Sequence, residues 1–127
     1  WQKLEAALQS VAKSETIYIV TGSVLNKVGE NKSVSYTTPK DDTRQCAVPN
    51  YFYKVALKVN TSGGTVTSAK AIGFWFEHRT YSDSYTNYAV SVDQIEQWTG
   101  FDFFVNLPDT IEKSAETNTD WSSFQSF

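Results

Sequence analysis

Two long apolar and aromatic runs, separated by a glycine-containing turn, constrain the fold of this chain more than any other feature. The runs are YFYKVALKV at 51–59 and AKAIGFWFE at 69–77, and the segment TSGGT lies between them. β-Branched and aromatic residues favour strands, and a short polar segment with glycines favours a reversal of the chain. The spacing therefore predicts an antiparallel hairpin over 51–77, which Pro49 leads into with an extended backbone.

An amphipathic helix is predicted for residues 1–13. Trp1, Leu4, Leu8 and Val11 recur at helical spacing and so fall on one face. Three alanines in the same segment favour a helical backbone.

A further strand and a long loop are predicted to follow this helix. The segment TIYIVT at 16–21 is β-branched and aromatic, which predicts a buried strand that ends at Gly22. Residues 26–45 are polar and predict a long loop, in which SVSYTT is compatible with a short hairpin.

Helices are also predicted in the C-terminal part of the chain. Ser91 and Gln94 have the S-x-x-Q spacing of a capping box, and Gly100 suits a left-handed helix end. The apolar stripe of this helix is Val92, Ile95 and Trp98. Residues 110–127 predict a helix followed by a tail, with three aromatic anchors, Trp121, Phe124 and Phe127. Helices beside antiparallel strands predict an α+β fold, in which an antiparallel β-sheet is flanked by helices.

Charge and composition exclude several kinds of site. Eleven basic and 14 acidic residues leave a net charge of −3 without a basic run, so any nucleic-acid role needs a focused site or residues outside this chain. The single cysteine, Cys46, excludes an internal disulfide, and the single histidine, His78, excludes a two-histidine zinc motif. No apolar run reaches the roughly 18–20 residues of a membrane helix, so no membrane insertion is predicted.

Three stretches, in order and spacing, carry a resemblance to a known family. They are WxxLE at 1–5 with YIVTG at 18–22, AVPNYFYKVAL at 47–57, and SVDQIEQWTGFDFFVNLPD at 91–109. The chain resembles the C-terminal half of the DNA/RNA non-specific endonucleases, which belong to the ββα-metal, or His-Me finger, nucleases. The resemblance implies that residues 1–127 are the C-terminal part of a single His-Me finger endonuclease domain.

The resemblance also implies an activity for the full-length protein, namely magnesium-dependent hydrolysis of phosphodiester bonds in DNA and RNA with little sequence preference. In the family, a histidine of a D-R-G-H motif acts as the general base and an asparagine holds one divalent cation, usually Mg²⁺. Both precede the WxxLE segment, and His78 lies too far downstream to be the motif histidine. No general base is therefore expected in this chain, which we expect to be inactive by itself.

Glu5 is the one family site residue that the resemblance carries onto this chain. It maps onto the glutamate of WxxLE, which approaches the metal through the bound waters, and helical geometry puts it at the edge of the apolar stripe. Without the resemblance, a glutamate in a first helical turn is usually a solvated residue that suits the helix dipole. Many family members carry an arginine a few residues later; here Lys13 is the remaining candidate for that phosphate contact. The 127 residues alone are expected to hold no ion tightly.

The other residues with site chemistry are expected to be structural. His78 is predicted at a surface strand end, and Cys46 is predicted to be partly buried before a strand. The pair Asp41–Asp42 is predicted to be a solvated loop, while Asp93 and Glu96 suit the first turn of a helix. Six aromatic residues are predicted to belong mainly to the core: Phe74, Trp75, Phe76, Phe101, Phe103 and Phe104.

A second class of function is compatible with the same residues, a catalytically degenerate scaffold or binding module. The acidic balance and the missing motif histidine favour it, and the sequence preceding Trp1 distinguishes the two by the presence or absence of D-R-G-H. The chain is expected to expose apolar surface where the rest of the domain would pack, and such surface favours sheet-edge pairing or a homodimer. Bacterial members of the family are often exported, so a periplasmic or secreted location is the expectation.

Overall fold

The computed structural model describes all 127 residues, which form four α-helices, six strands and a short 3₁₀ helix at Tyr85–Tyr88. The helices are α1 (Gln2–Val11), α2 (Val92–Thr99), α3 (Asp109–Glu116) and α4 (Trp121–Gln125). The strands are β1 (Ile17–Val24), β2 (Ser35–Thr37), β3 (Cys46–Val48), β4 (Tyr51–Ser62), β5 (Thr65–Glu77) and β6 (Ala89–Val90). None of the helices combines the length and the hydropathy that crossing a membrane requires.

The hairpin predicted over 51–77 is confirmed as β4 and β5, which pair antiparallel along nearly their whole length. Gly63 and Gly64 form its turn with φ of 58° and 81°. A type I′ turn needs positive φ at both central residues, which glycine adopts without steric cost. The glycine pair therefore fixes where the chain reverses.

The main sheet has the strand order β1-β4-β5-β6, and each of its faces carries its own core. Side chains alternate along a strand, so Tyr53, Val55 and Leu57 of β4 point away from Ala56. The first three pack with α2 and α3 on what we term the α2–α3 face. The core of the opposite α1–α4 face consists of Leu4, Leu8, Val11, Ala56, Ile72, Phe74, Phe76, Trp121 and Phe124. The predicted α+β fold is thus confirmed.

Strand β1 corrects the prediction of a buried strand at 16–21. It extends to Val24, yet Tyr18, Ile19 and Val20 are 53%, 43% and 39% exposed. β1 pairs only with β4, so it is an edge strand, and the helices cover mainly the middle of the sheet. An apolar run indicates a strand, but its burial depends on elements that pack against it from elsewhere.

Helix α2 begins and ends where its sequence predicts. The Ser91 hydroxyl accepts a hydrogen bond from the Gln94 backbone N–H at 3.1 Å, and Gly100 ends the helix with φ of 76°. The reciprocal half of the capping box is absent, because the Gln94 amide donates to Gln97 instead. Local signals therefore suffice to position this helix.

The C-terminal segment forms two helices where one helix and a tail were predicted. Asp120 separates them, because its carboxylate accepts the Ser122 N–H at 2.9 Å and caps α4. Trp121 and Phe124 are buried anchors as predicted, whereas Phe127 is 46% exposed.

One of two neighbouring lysines of the hairpin holds α4 against the sheet. Lys58 and Lys70 are cross-strand partners. The Lys70 ammonium donates to the carbonyl oxygens of Ser123 and Ser126, at the C-terminal end of α4. A lysine at this end satisfies carbonyl groups that have no partner within the helix and complements its dipole.

The loop predicted over 26–45 contains a strand whose partner lies beyond it. Residues 35–37, within SVSYTT, pair with β3 rather than with a neighbouring turn of the same segment. Cys46 therefore lies in a strand and is exposed, which corrects the prediction of a partly buried residue before a strand. A two-stranded ribbon with no helix against it leaves its side chains open to solvent.

Four of the six aromatic residues predicted in the core are buried there: Phe74, Trp75, Phe76 and Phe103. Phe101 is 58% exposed, which corrects its prediction. Phe104 is half-buried and has φ of 59°, a left-handed conformation that is uncommon outside glycine. The loop after α2 turns sharply at this point, so strand-like alternation does not describe 101–105.

Candidate functional site

Glu5 lies at the margin of α1, where the helix meets the sheet. Leu4 and Leu8 are 0% and 1% exposed and hold the helix on the α1–α4 face. The Glu5 side chain is 44% exposed, so it stands at the edge of the buried stripe. A carboxylate there is both positioned by the core and accessible from solvent.

Lys54 of β4 forms an ion pair with this carboxylate. Its Nζ lies 3.2 Å from Glu5 Oε1 and donates to the Thr21 hydroxyl at 2.9 Å, and its side chain is only 8% exposed. The ammonium also lies 4.2 Å from the centre of the Trp1 ring. A buried ammonium needs such partners, since desolvation of a lone charge is costly. Lys54 therefore orients Glu5, and Thr21 and Trp1 in turn hold Lys54 in place.

Lys54, and not Lys13, is the cation beside Glu5. Lys13 is exposed and follows the end of α1, eight residues after Glu5, which corresponds to roughly 12 Å along a helix. The sequence signal for Lys54 is a lysine within an apolar strand, which does not by itself indicate Glu5 as its partner. The pairing itself depends on how α1 lies across the sheet.

The residues around Glu5 fit one water-mediated contact to a divalent cation. One carboxylate and the Thr21 hydroxyl are the oxygen donors at this place, and an ammonium stands beside them. Mg²⁺ requires near-octahedral oxygen coordination and usually keeps several waters. A half-exposed carboxylate suits hydrogen bonds to those waters, whereas a full ligand set requires further groups.

An aromatic pocket of about 470 Å³ adjoins Trp1. Its lining residues are Trp1, Phe52, Phe76, Glu77, His78, Arg79 and Tyr81. His78 is exposed at the end of β5, as predicted, and its Nδ1 lies 2.7 Å from the Pro49 carbonyl oxygen. A carbonyl only accepts, so Nδ1 carries the proton in this contact. This contact joins the end of β5 to the residues that lead into β4.

The loop pair Asp41–Asp42 matches its prediction. Asp42 binds Arg44 at 2.6 Å near the surface, and this contact lowers the pKa of the Asp42 carboxyl to about 2. An ion pair between neighbouring surface residues stabilises a protein little. The pair forms no cluster with other acids.

Asp93 lies in the first turn of α2 as predicted, whereas Glu96 lies beyond that turn, which corrects the prediction for Glu96. Their carboxylate oxygens meet an oxygen of Glu116 from α3, and the three atoms lie within 4.8 Å of one another. Glu96 also accepts the Phe103 N–H at 2.7 Å. Burial, reinforced by the negative charge of Glu96, raises the pKa of the Glu116 carboxyl to about 8. Glu116 is 20 residues from Glu96, so helical spacing gives no sign of the contact.

The fold and the comparisons define the class of this chain. An antiparallel sheet between helices is the fold it shares with a solved chain of the EndoG/EndoGI complex, whose description concerns the mechanism of EndoG inhibition. The TM-score is 0.61 at 18% identity, over 87% of this chain and 45% of that one, so the chain spans about half of that structure. The DNA/RNA non-specific endonuclease family matches residues 1–110, and the chain belongs to this family. No curated protein sequence is detectably similar to it.

Proposed function

We propose that the chain is the C-terminal part of a magnesium-dependent nuclease that cleaves DNA and RNA without sequence preference. The observation that supports this most is Glu5, the glutamate of the WxxLE segment, held at an accessible edge by Lys54. It lies within the residues that match the endonuclease family. Another divalent cation in place of Mg²⁺ would act through the same carboxylate.

Phosphodiester cleavage concentrates negative charge on the phosphate oxygens and on the leaving oxygen. A bound divalent cation supplies the Lewis acidity that neutralises this charge. Glu5 would orient the waters of such an ion, as outer-shell carboxylates do. Lys54 holds Glu5 in place and adds a positive charge on the same face. These residues thus position charge without transferring a proton.

The general base is proposed to come from outside these 127 residues. The one histidine, His78, uses Nδ1 to bind the Pro49 carbonyl at the end of β5. The family resemblance assigns the base to a histidine that precedes the WxxLE segment. This chain then contributes positioning, part of the central sheet and a packing layer.

The 127-residue chain by itself is expected to leave plasmid DNA intact in the presence of Mg²⁺, because it supplies no general base and a single outer-shell carboxylate. Conversion of supercoiled plasmid to open circles on a gel measures this, with the full-length protein as the positive control. Nicking by the isolated chain at a comparable rate would show that its own residues complete the site.

The alternative is a catalytically degenerate scaffold or binding module. The acidic balance and the absence of the motif histidine from these residues favour it. Full-length protein that binds nucleic acid but does not cleave it, with Mg²⁺ present, would support this alternative.

Self-association of the isolated chain is expected through β1. Its outer edge is unpaired and its side chains Tyr18, Ile19 and Val20 are exposed, which favours strand pairing with a second copy. Light scattering over a concentration series is expected to show a mass that rises towards a dimer; a monomer throughout the series would contradict this.

Export from a bacterial cell stays a prediction from the family resemblance.

A further inference from the structure

Three carboxylates converge on the face of the sheet opposite to Glu5. Asp93 and Glu96 come from α2 and Glu116 comes from α3, and one oxygen of each lies within 4.8 Å of the other two. Both helices pack on the α2–α3 face, whereas Glu5 belongs to the α1–α4 face. This cluster is therefore separate from the proposed catalytic site.

Glu116 is the member of the cluster whose carboxylate is buried without a hydrogen-bond donor. It is 5% exposed, and no donor of the protein reaches its buried Oε1. A buried carboxylate oxygen without a hydrogen bond carries a large desolvation cost. One of its carboxylate oxygens lies within 4.8 Å of an oxygen of each of the other two acids, so the buried Glu116 side chain points into the cluster.

No cationic side chain neutralises the three acids. The four ion pairs of the chain involve Arg44, Lys54, Lys58 and Arg79, and none of these reaches the cluster. Asp102 and Glu112 add further negative charge nearby and disfavour ionisation of Glu116. Like charges at this spacing are compatible with a folded protein when a proton or a cation binds between them.

We propose that Asp93, Glu96 and Glu116 bind a calcium-sized divalent cation that links α2 to α3. Three oxygens spaced evenly around one Ca²⁺ lie at most about 4.5 Å apart, because each Ca–O distance is about 2.3–2.6 Å. The corresponding limit for Mg²⁺ is about 3.6 Å, from Mg–O distances of about 2.0–2.1 Å. The three oxygens of the cluster lie within 4.8 Å of one another, a bound that is close to the limit for Ca²⁺ and well above that for Mg²⁺.

The bound ion would also fix the segment that follows α2. Glu96 accepts the Phe103 N–H at 2.7 Å, and Phe103 belongs to the core of the α2–α3 face. An ion held by Glu96 and Glu116 thus connects α2, the 101–104 turn and α3. Its role is structural, because the sheet separates it from Glu5.

Thermal unfolding of the full-length protein tests the site without any measurement of activity. After removal of metals by a chelator, saturating Ca²⁺ is expected to raise Tm by roughly 5–10 °C, because a ligand that binds only the folded state stabilises it. Glu116→Gln is expected to lose this rise. Asp93→Asn, at a half-buried position that tolerates an amide, is expected to need at least about tenfold more Ca²⁺ for the same rise.

Two matched variants separate this site from other acids. Asp109→Asn removes an exposed carboxylate at the start of α3, and Glu5→Gln removes the carboxylate of the proposed catalytic site; both are expected to keep the calcium-dependent rise. Metal-free Glu116→Gln is expected to melt no lower than the metal-free wild type, since it replaces a buried carboxyl group that has no hydrogen-bond partner at Oε1. The proposal is overturned if Ca²⁺ leaves the wild-type Tm unchanged, or if Glu116→Gln and Asp93→Asn respond to Ca²⁺ as the wild type does.

Discussion

Replacing Glu5 with glutamine in the full-length protein is expected to lower magnesium-dependent cleavage about 10- to 100-fold, the usual cost of losing an outer-shell partner of a metal. The amide keeps the size of the side chain but loses the charge that orients the waters of the ion. Initial rates of plasmid and RNA cleavage, measured across a Mg²⁺ titration, are expected to show a higher half-saturating Mg²⁺ concentration.

The Mg²⁺ titration separates a metal-linked role from a structural one. If Glu5 served only to pair with Lys54, the variant would melt at a lower temperature and keep its Mg²⁺ dependence. Asp41→Asn, which removes an exposed loop carboxylate, is the matched control and is expected to cleave like the wild type. An unchanged cleavage rate and Mg²⁺ dependence for Glu5→Gln would refute the metal-linked assignment.

Replacing Glu15 with glutamine is expected to lower the free energy of unfolding by about 3 kcal/mol. Glu15 Oε2 lies 3.0 Å from the Nζ of Lys58, whose side chain is 1% exposed. No acceptor is aligned for a hydrogen bond from this ammonium, and its other neighbours are the rings of Phe124 and Phe127, at 5.3 Å and 5.0 Å. The variant leaves a buried positive charge without a counter-charge. The expected loss of unfolding free energy lies at the lower end of the range for broken buried ion pairs, because the Glu15 side chain is 30% exposed.

A second substitution identifies the charge as the cause. Lys58→Met keeps an unbranched apolar stem under the two rings and removes the ammonium, so the double variant is expected to regain most of the lost stability. Urea unfolding of the wild type, the single variant and the double variant measures this. A single-variant loss below about 1 kcal/mol would place the pair among ordinary surface ion pairs. A double variant no more stable than the single one would show that Glu15 acts through packing.

Structural features that depend on residues close together in the sequence were predictable from it. The β4–β5 hairpin follows from strand-forming runs on both sides of Gly63-Gly64, and α2 follows from Ser91 and Gly100 at its ends. Each of these signals acts within a few residues of the position that it controls. The α+β class required no more than these elements.

The contacts that build the sites depend on residues far apart in the chain. Lys54 contacts Glu5 only because α1 packs on the face of the sheet to which Lys54 points. Glu116 lies near Glu96 only because α3 packs beside α2. The exposure of Ile19 in β1 likewise depends on what covers the edge of the sheet. Periodicity indicates which face of an element is apolar, but it does not indicate which other element packs there.

The alternation along β4 makes this strand far more sensitive to insertions and deletions than to substitutions. Tyr53 faces one core, while Lys54 and Lys58 face the other side, where they hold Glu5 and Glu15. One added residue would turn every later side chain to the opposite face, so that ammonium groups enter the apolar core while apolar side chains replace them beside the two glutamates. Changes of chain length are therefore expected to be tolerated in the 26–45 loop and excluded from β4.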